Sequence, residues 1–203
     1  ARYQASRWPH EPVSFKGQRV GIIGTGSSGI QSIPVIAAEA EHLTVFQRTP
    51  NFSVPAKNSS LDNAWVAAFK ANYAAHRHNH RIGNGSGFGD LDIEPKATVE
   101  APTLFDEVTE SEAHALLEAA WQRGGARFMG AIGDTMMNQK ANDYAQKFIH
   151  NKIRSIVHDP ETAEALCPTS HPVGTRRICV DIDYFETYNK SNVRLLNVAR
   201  DPI

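Results

Sequence analysis

The run Gln18-Arg19-Val20-Gly21-Ile22-Ile23-Gly24-Thr25-Gly26-Ser27-Ser28-Gly29 takes an apolar strand into a glycine loop that opens a helix. Val20, Ile22 and Ile23 are β-branched, as suits a buried strand, and Ile30-Gln31-Ser32-Ile33 continues with helical spacing. The three loop glycines have separate tasks. Gly24 permits the tight turn, Gly26 lets the backbone approach a pyrophosphate, and Gly29 lets the helix press against the strand. The phosphates then lie on the helix N-terminus, where free backbone N–H groups and the positive end of the macrodipole favour anions. A GxGxxG pattern between a strand and a helix is the context a dinucleotide site needs. Pro34 falls early in the helix and is expected to bend or kink it.

A second strand follows at Leu43-Thr44-Val45-Phe46-Gln47. At its carboxyl end an NAD site carries Asp or Glu to accept from the ribose 2′-hydroxyl. This chain carries Arg48-Thr49 there. A guanidinium pairs with a 2′-phosphate through two parallel charge-assisted bonds, and the Thr49 hydroxyl adds a donor. The pair therefore reads as an NADP(H) site. The plainer alternative for Arg48 is a surface cation at a strand end.

The chain has 203 residues, 41% of them hydrophobic, and a formal charge of −1, so it can bury a substantial core and has no general attraction to nucleic acid or to an acidic membrane. Nothing approaches the roughly 20 consecutive apolar residues of a membrane span. Cys167 and Cys179 form no CxxC pair, which favours neither a disulfide framework nor a zinc site and fits a reducing cytoplasm. The chain opens Ala1-Arg2-Tyr3 and stops at Asp201-Pro202-Ile203, directly after a strand. A segment of a longer polypeptide is expected.

After Pro55 the pattern turns helical for about a hundred residues, too long for an ordinary crossover. The reading is an α/β fold: a Rossmann-like NADP(H)-binding domain with a parallel sheet, built from 14–56 and 172–203, interrupted by a helical insert at 57–171 and preceded by a linker at 1–13. Within the insert, Leu61, Trp65, Ala68, Phe69 and Tyr73 lie near helical spacing, and the glycine-rich run from Arg81 to Gly89 should end that helix. Thr109 with Glu112 makes a capping box ahead of a stripe of Ala113, Leu116, Leu117, Ala120 and Trp121, closed by Gly124-Gly125. A further helix is predicted from Gln139 to Val157, and Asp159-Pro160 supplies the N-cap and first residue of the next. Strand character returns at Arg177-Ile178-Cys179-Val180-Asp181 and at Val193–Val198.

His76, His78 and His80 have no nearby carboxylate or cysteine, so no metal site is assigned. There is no Gly-x-Ser-x-Gly elbow and no Walker lysine, which removes support for hydrolase and phosphoryl-transfer readings. Gly174-Thr175-Arg176-Arg177 sets two guanidiniums ahead of an apolar run. If extended, they point opposite ways: one toward the 2′-phosphate, the other toward the reactive end of the cofactor, where a fixed cation stabilises a developing oxyanion. A pair of exposed surface arginines is the alternative.

Trp8-Pro9-His10-Glu11-Pro12-Val13, Gly17-Gln18-Arg19-Val20-Gly21 and Gly24-Thr25-Gly26-Ser27-Ser28-Gly29-Ile30-Gln31 strongly resemble flavin-dependent Baeyer–Villiger monooxygenases. The likeness continues through Val45-Phe46-Gln47-Arg48-Thr49-Pro50, Phe148–Arg154, Gly174-Thr175-Arg176-Arg177 and Asp183-Tyr184-Phe185-Glu186 to Asn192-Val193. Trp8-Pro9 closes the fingerprint FxGxxxHxxxWP of that family, although Gln4 stands at the histidine position. The resemblance implies that Gly24, Thr25, Gly26, Ser27, Ser28, Gly29, Gln31, Arg48 and Thr49 bind NADP(H), and that Arg176 covers the 2′-phosphate where the family has lysine. It implies that Arg177 is the catalytic arginine beside the flavin and the nicotinamide.

It further implies an intact enzyme that also binds FAD, in parts lying outside this chain, and inserts one atom of O2 into a ketone C–C bond to give an ester or lactone. The rivals are a stand-alone NADP(H)-binding or redox-sensing module without catalysis, and a flavin oxygenase acting on nitrogen or sulfur.

Overall fold

A computed structural model describes residues 1–58, 60–82 and 103–199. Its strands are β1 (Arg19–Ile23), β2 (His42–Gln47), β3 (Ser53–Pro55), β4 (Cys179–Asp181) and β5 (Val193–Asn197). β1, β2 and β5 pair in parallel with β2 in the centre, so that Ile22 lies opposite Val45 and Val45 opposite Leu195. β3 and β4 form a separate parallel pair. The chain is thus an α/β protein with parallel sheets. β5 joins the glycine-loop strands across a long sequence gap, as expected, but β4 does not. After β2 the chain turns through Thr49-Pro50 and Phe52 accepts from the Cys179 N–H (2.9 Å), which commits β4 to β3.

The helix α1 (Ser27–Glu39) turns Ile30, Ile33, Ile36 and Ala37 into the core that also holds Leu43 and Val45. It continues through Pro34, which has no N–H to give the helical ladder. On the opposite face of β1, Arg19, Gly21 and Ile23 are exposed among the described residues. Ile23 is 78% exposed.

The described residues fall into two compact units, one of 1–56 with 103–199 and the other within 57–82. The smaller holds α2 (Asn63–Ala71), capped by Asp62 on the N–H groups of Ala64 and Trp65, and α3 (Tyr73–Ile82). The spacing predicts one helix from Leu61 to Tyr73; a break at Asn72 divides it, and Leu61 stays exposed ahead of α2. Trp65, Phe69 and His76 stack in series. The glycine run at 83–89 lies outside the described residues.

The larger unit contains α4 (Glu110–Arg123), α5 (Gln139–Ile156), α6 (Pro160–Leu166) and α7 (Tyr184–Thr187). The capping box at Thr109 and Glu112 is formed, and Gly124 closes α4 at a φ of +79°. Asp159 caps α6 with Pro160 in its first turn. Although the sequence places 57–171 in one insert, α4, α5 and α6 pack within the unit that holds the sheets. The apolar stripes account for this: Leu117, Trp121, Phe148, Ile149 and Ile153 are buried in the same core as α1 and β2. Phe52, just before β3, stacks on His150 of α5.

Candidate cofactor site

Gly24 adopts a φ of +100°, a conformation that favours glycine, and its N–H donates to the Phe46 carbonyl (2.9 Å). The loop therefore begins hooked to the strand that leads into Arg48. Gly29 rests on Gly24: a Cβ there would overlap the Gly24 carbonyl. Gly26 differs, because a Cβ built on it meets nothing within 4 Å. Protein packing does not require glycine at 26. The open side leaves room for a ligand's close approach.

Gly26 is the N-cap of α1 and caps with no side chain. The first helical bond runs from the Ile30 N–H to the Gly26 carbonyl (2.9 Å). The N–H groups of Ser27, Ser28 and Gly29 precede the helical ladder and are positioned to donate outward. No acidic residue lies in the first turn to repel an anion. The loop fits a diphosphate.

Thr25 faces the protein. It is 4% exposed, and its hydroxyl donates to Gln47 Oε1 (3.3 Å) and is within reach of the Thr49 carbonyl (3.2 Å). It ties the glycine loop to the end of β2, and Arg48 stands exposed between those anchors. Gln31 Nε2 reaches the Val180 carbonyl (3.4 Å), so this side chain is directed to β4. Ser27 and Ser28 are exposed at the helix start.

The second group lies on the approach to β4. Gly174 has a φ of +86° and is packed against the Met136 side chain, with no room for a Cβ. Arg176 and Arg177 are both exposed and precede the first strand residue, Cys179. The strand expected from Arg177 thus begins two residues later, and no strand pleat sets the directions of the two guanidiniums. Burial lowers the His171 pKa, with the Arg176 charge acting in the same sense. The His171 ring packs edge-on against Phe52, and its Nδ1 meets the Ser170 hydroxyl (3.0 Å).

Cys179 joins the two groups. Burial pushes its thiol pKa up, while the hydrogen bond from Asn51 opposes that shift. Asn51 Nδ2 also reaches the Arg177 carbonyl (3.3 Å). The loop after Arg48 and the approach to Arg177 therefore meet around one buried sulfur. Deeper in, Asp181 accepts from the Ser53 hydroxyl and the Tyr184 N–H, and burial pushes its pKa up to about 6.

Three residues here were not singled out from sequence: Gln47, Asn51 and Cys179. Gln47 had a usable signal, because it continues the buried series Leu43, Val45 and is itself 1% exposed. A polar residue in step with core positions implies fixed partners.

No family model matches the chain. It is 41% identical over 198 residues to a Baeyer-Villiger monooxygenase of Pseudooceanicola batsensis, a match covering 97% of this chain and 34% of that protein. It is 40% identical over 201 residues to the phenazine N-monooxygenase PhzNO1 of Lysobacter antibioticus, covering 97% of this chain and 34% of the relative. Among solved structures, an oxidized steroid monooxygenase bound to NADP matches with a TM-score of 0.84 and 47% identity, over 97% of this chain and 36% of that one. The chain spans about a third of the length of the curated relatives it matches.

Proposed function

We propose that this chain, homologous over nearly its whole length to Baeyer–Villiger monooxygenases, is the NADP(H)-binding portion of a flavin monooxygenase that converts a ketone and O2 to an ester or lactone. The observation that carries this reading is the glycine loop, open at Gly26 and hooked to a strand that leads into Arg48.

In this reading the N–H groups of Ser27, Ser28 and Gly29 hold the pyrophosphate, with Gly24 and Gly26 shaping its approach. Arg48, Thr49 and Arg176 surround the 2′-phosphate. Thr25 and Gln31 serve as braces, one to β2 and the other to β4. FAD, held by parts of the enzyme outside this chain, supplies the electron transfer and oxygen activation. Arg177, as a cation beside the reacting centre, stabilises negative charge developing on oxygen. The Rossmann-like domain of this reading is centred on β1, β2 and β5, with a helical insertion after β3 and the segment 1–13 leading into it. A ring cluster of Tyr3, Trp8 and Phe15 anchors that segment.

One relative acts as a phenazine N-monooxygenase by its name, which favours N-oxygenation as the second reading. Incubating the flavin-loaded enzyme with NADPH, labelled O2 and either cyclic and linear ketones or an aromatic N-heterocycle separates the two. Labelled ester or lactone supports the first reading. N-oxide alone supports the second, and NADPH binding without oxygenated product from either class supports a non-catalytic module.

A further inference from the structure

Arg177 lies between a turn and a strand, where no ladder fixes its backbone. The nearest sheet contact is the Cys179 N–H on the Phe52 carbonyl. The Arg177 carbonyl is instead held by a side chain, that of Asn51. Nδ2 of this residue donates to the Arg177 carbonyl (3.3 Å) and to Cys179 Sγ (3.1 Å), while its Oδ1 accepts from the Phe52 N–H (3.0 Å). The Phe52 bond fixes which way the carboxamide faces. Only an amide offers an acceptor on one atom and two donor hydrogens on the other at this length. The Cys179 thiol is itself directed toward the same carbonyl, 4.0 Å away.

We infer that Asn51 is a positioning residue that sets the location of Arg177 and links it to the loop carrying Arg48. This rests on the reading of Arg177 as the catalytic cation. Asn51 follows Arg48 by three positions in one short connection, so a cofactor contact that draws on Arg48 also loads the support under Arg177. Cofactor recognition and the aim of the catalytic cation share one carboxamide.

The test is Asn51→Asp in the flavin-loaded enzyme. The substitution conserves shape and the acceptor for Phe52, but turns an acceptor oxygen toward the Arg177 carbonyl and the sulfur. NADPH oxidation is expected to continue, while ester formed per NADPH falls by about tenfold and hydrogen peroxide rises to match, the scale of one lost hydrogen bond. Asn51→Ala adds no charge and serves as the second variant if Asn51→Asp lowers the melting temperature; it should show the same split. If both variants lose NADPH oxidation and ester formation in parallel, with the ester-to-NADPH ratio of wild type, Asn51 is merely structural and the inference is overturned. It is likewise overturned if both keep wild-type coupling while Arg177→Ala abolishes ester formation. If Arg177→Ala itself forms ester normally, the catalytic reading fails, and the positioning role falls with it.

Discussion

The Thr25 hydroxyl donates to Oε1 of Gln47 across 3.3 Å, and the same glutamine donates Nε2 to the Ala165 carbonyl at 2.7 Å. The glycine loop is thereby fastened through β2 to the end of α6. Replacing Gln47 by Leu keeps the volume but leaves the Ala165 carbonyl without its partner, an expected loss of about 1–3 kcal/mol. Denaturant unfolding of wild type and Gln47→Leu measures it. Unchanged stability would show that water replaces the glutamine.

Gly26 and Gly29 should respond in opposite ways to alanine. At Gly29 the new methyl group must displace the Gly24 carbonyl, so Gly29→Ala is expected to lose about 1–3 kcal/mol of stability together with NADPH binding. At Gly26 it meets no protein atom, and Gly26→Ala should cost about 1 kcal/mol or less in folding while strongly weakening the dinucleotide. Thermal melts alongside NADPH titrations distinguish the pair; equal effects of both variants on stability would contradict the assignment of their roles.

Arg48 should confer preference for NADPH over NADH. Loss of one charged phosphate contact costs roughly 1.5–3 kcal/mol, or about 10- to 150-fold in affinity. The measurement is the binding of both cofactors to wild-type enzyme and to Arg48→Ala. Equal wild-type affinities would remove the basis for an NADP(H) site.

Arg176→Ala is expected to weaken NADPH and spare NADH. Arg177→Ala should retain NADPH binding and lose ester formation. Steady-state assays with both nucleotides, reading product and peroxide, separate the two roles; similar phenotypes would show that the adjacent guanidiniums act as one phosphate clamp.

Asp181 gives a pH signature. Its folded pKa of about 6 lies above the ordinary carboxylate value because burial outweighs the Ser53 and Tyr184 bonds. Between the unfolded and folded values the native state holds a proton that the unfolded chain has released. Its contribution to stability is therefore greatest in acid and declines as pH rises through 6, by on the order of 2–3 kcal/mol for a shift of this size. Burial lowers the His150 and His171 pKa values, and they act with the opposite sign, favouring the native state as pH rises. Comparing unfolding of wild type and Asp181→Asn at pH 4.5 and 7.5 isolates the carboxyl, and identical pH slopes would exclude its titration.

The glycine loop, the Thr109 box, the Asp159 cap and the long periodic helix α5 were legible because each is decided within a few residues. Long-range partnerships were not. The pairing of β4 with β3 depends on the turn at Thr49-Pro50, and the packing of α4–α6 within the sheet-bearing unit depends on surfaces that meet only in three dimensions. Asn51 gave no local signal, since its partners lie at Arg177 and Cys179. The glycine loop and the helix caps could thus be read from spacing, whereas the supports beneath Arg177 required the fold.

Leu43 lies opposite Val20 on one side and Val193 on the other. The first neighbour leaves the ribosome before β2, the second long after it. At typical elongation rates of about 5–20 residues per second, one edge of the central strand waits on the order of ten seconds for its partner. Closing so long a loop also slows refolding of the complete chain relative to helical proteins of similar size. The sheet that presents Arg48 is finished late, and until β5 arrives one edge of β2 is an open pairing surface.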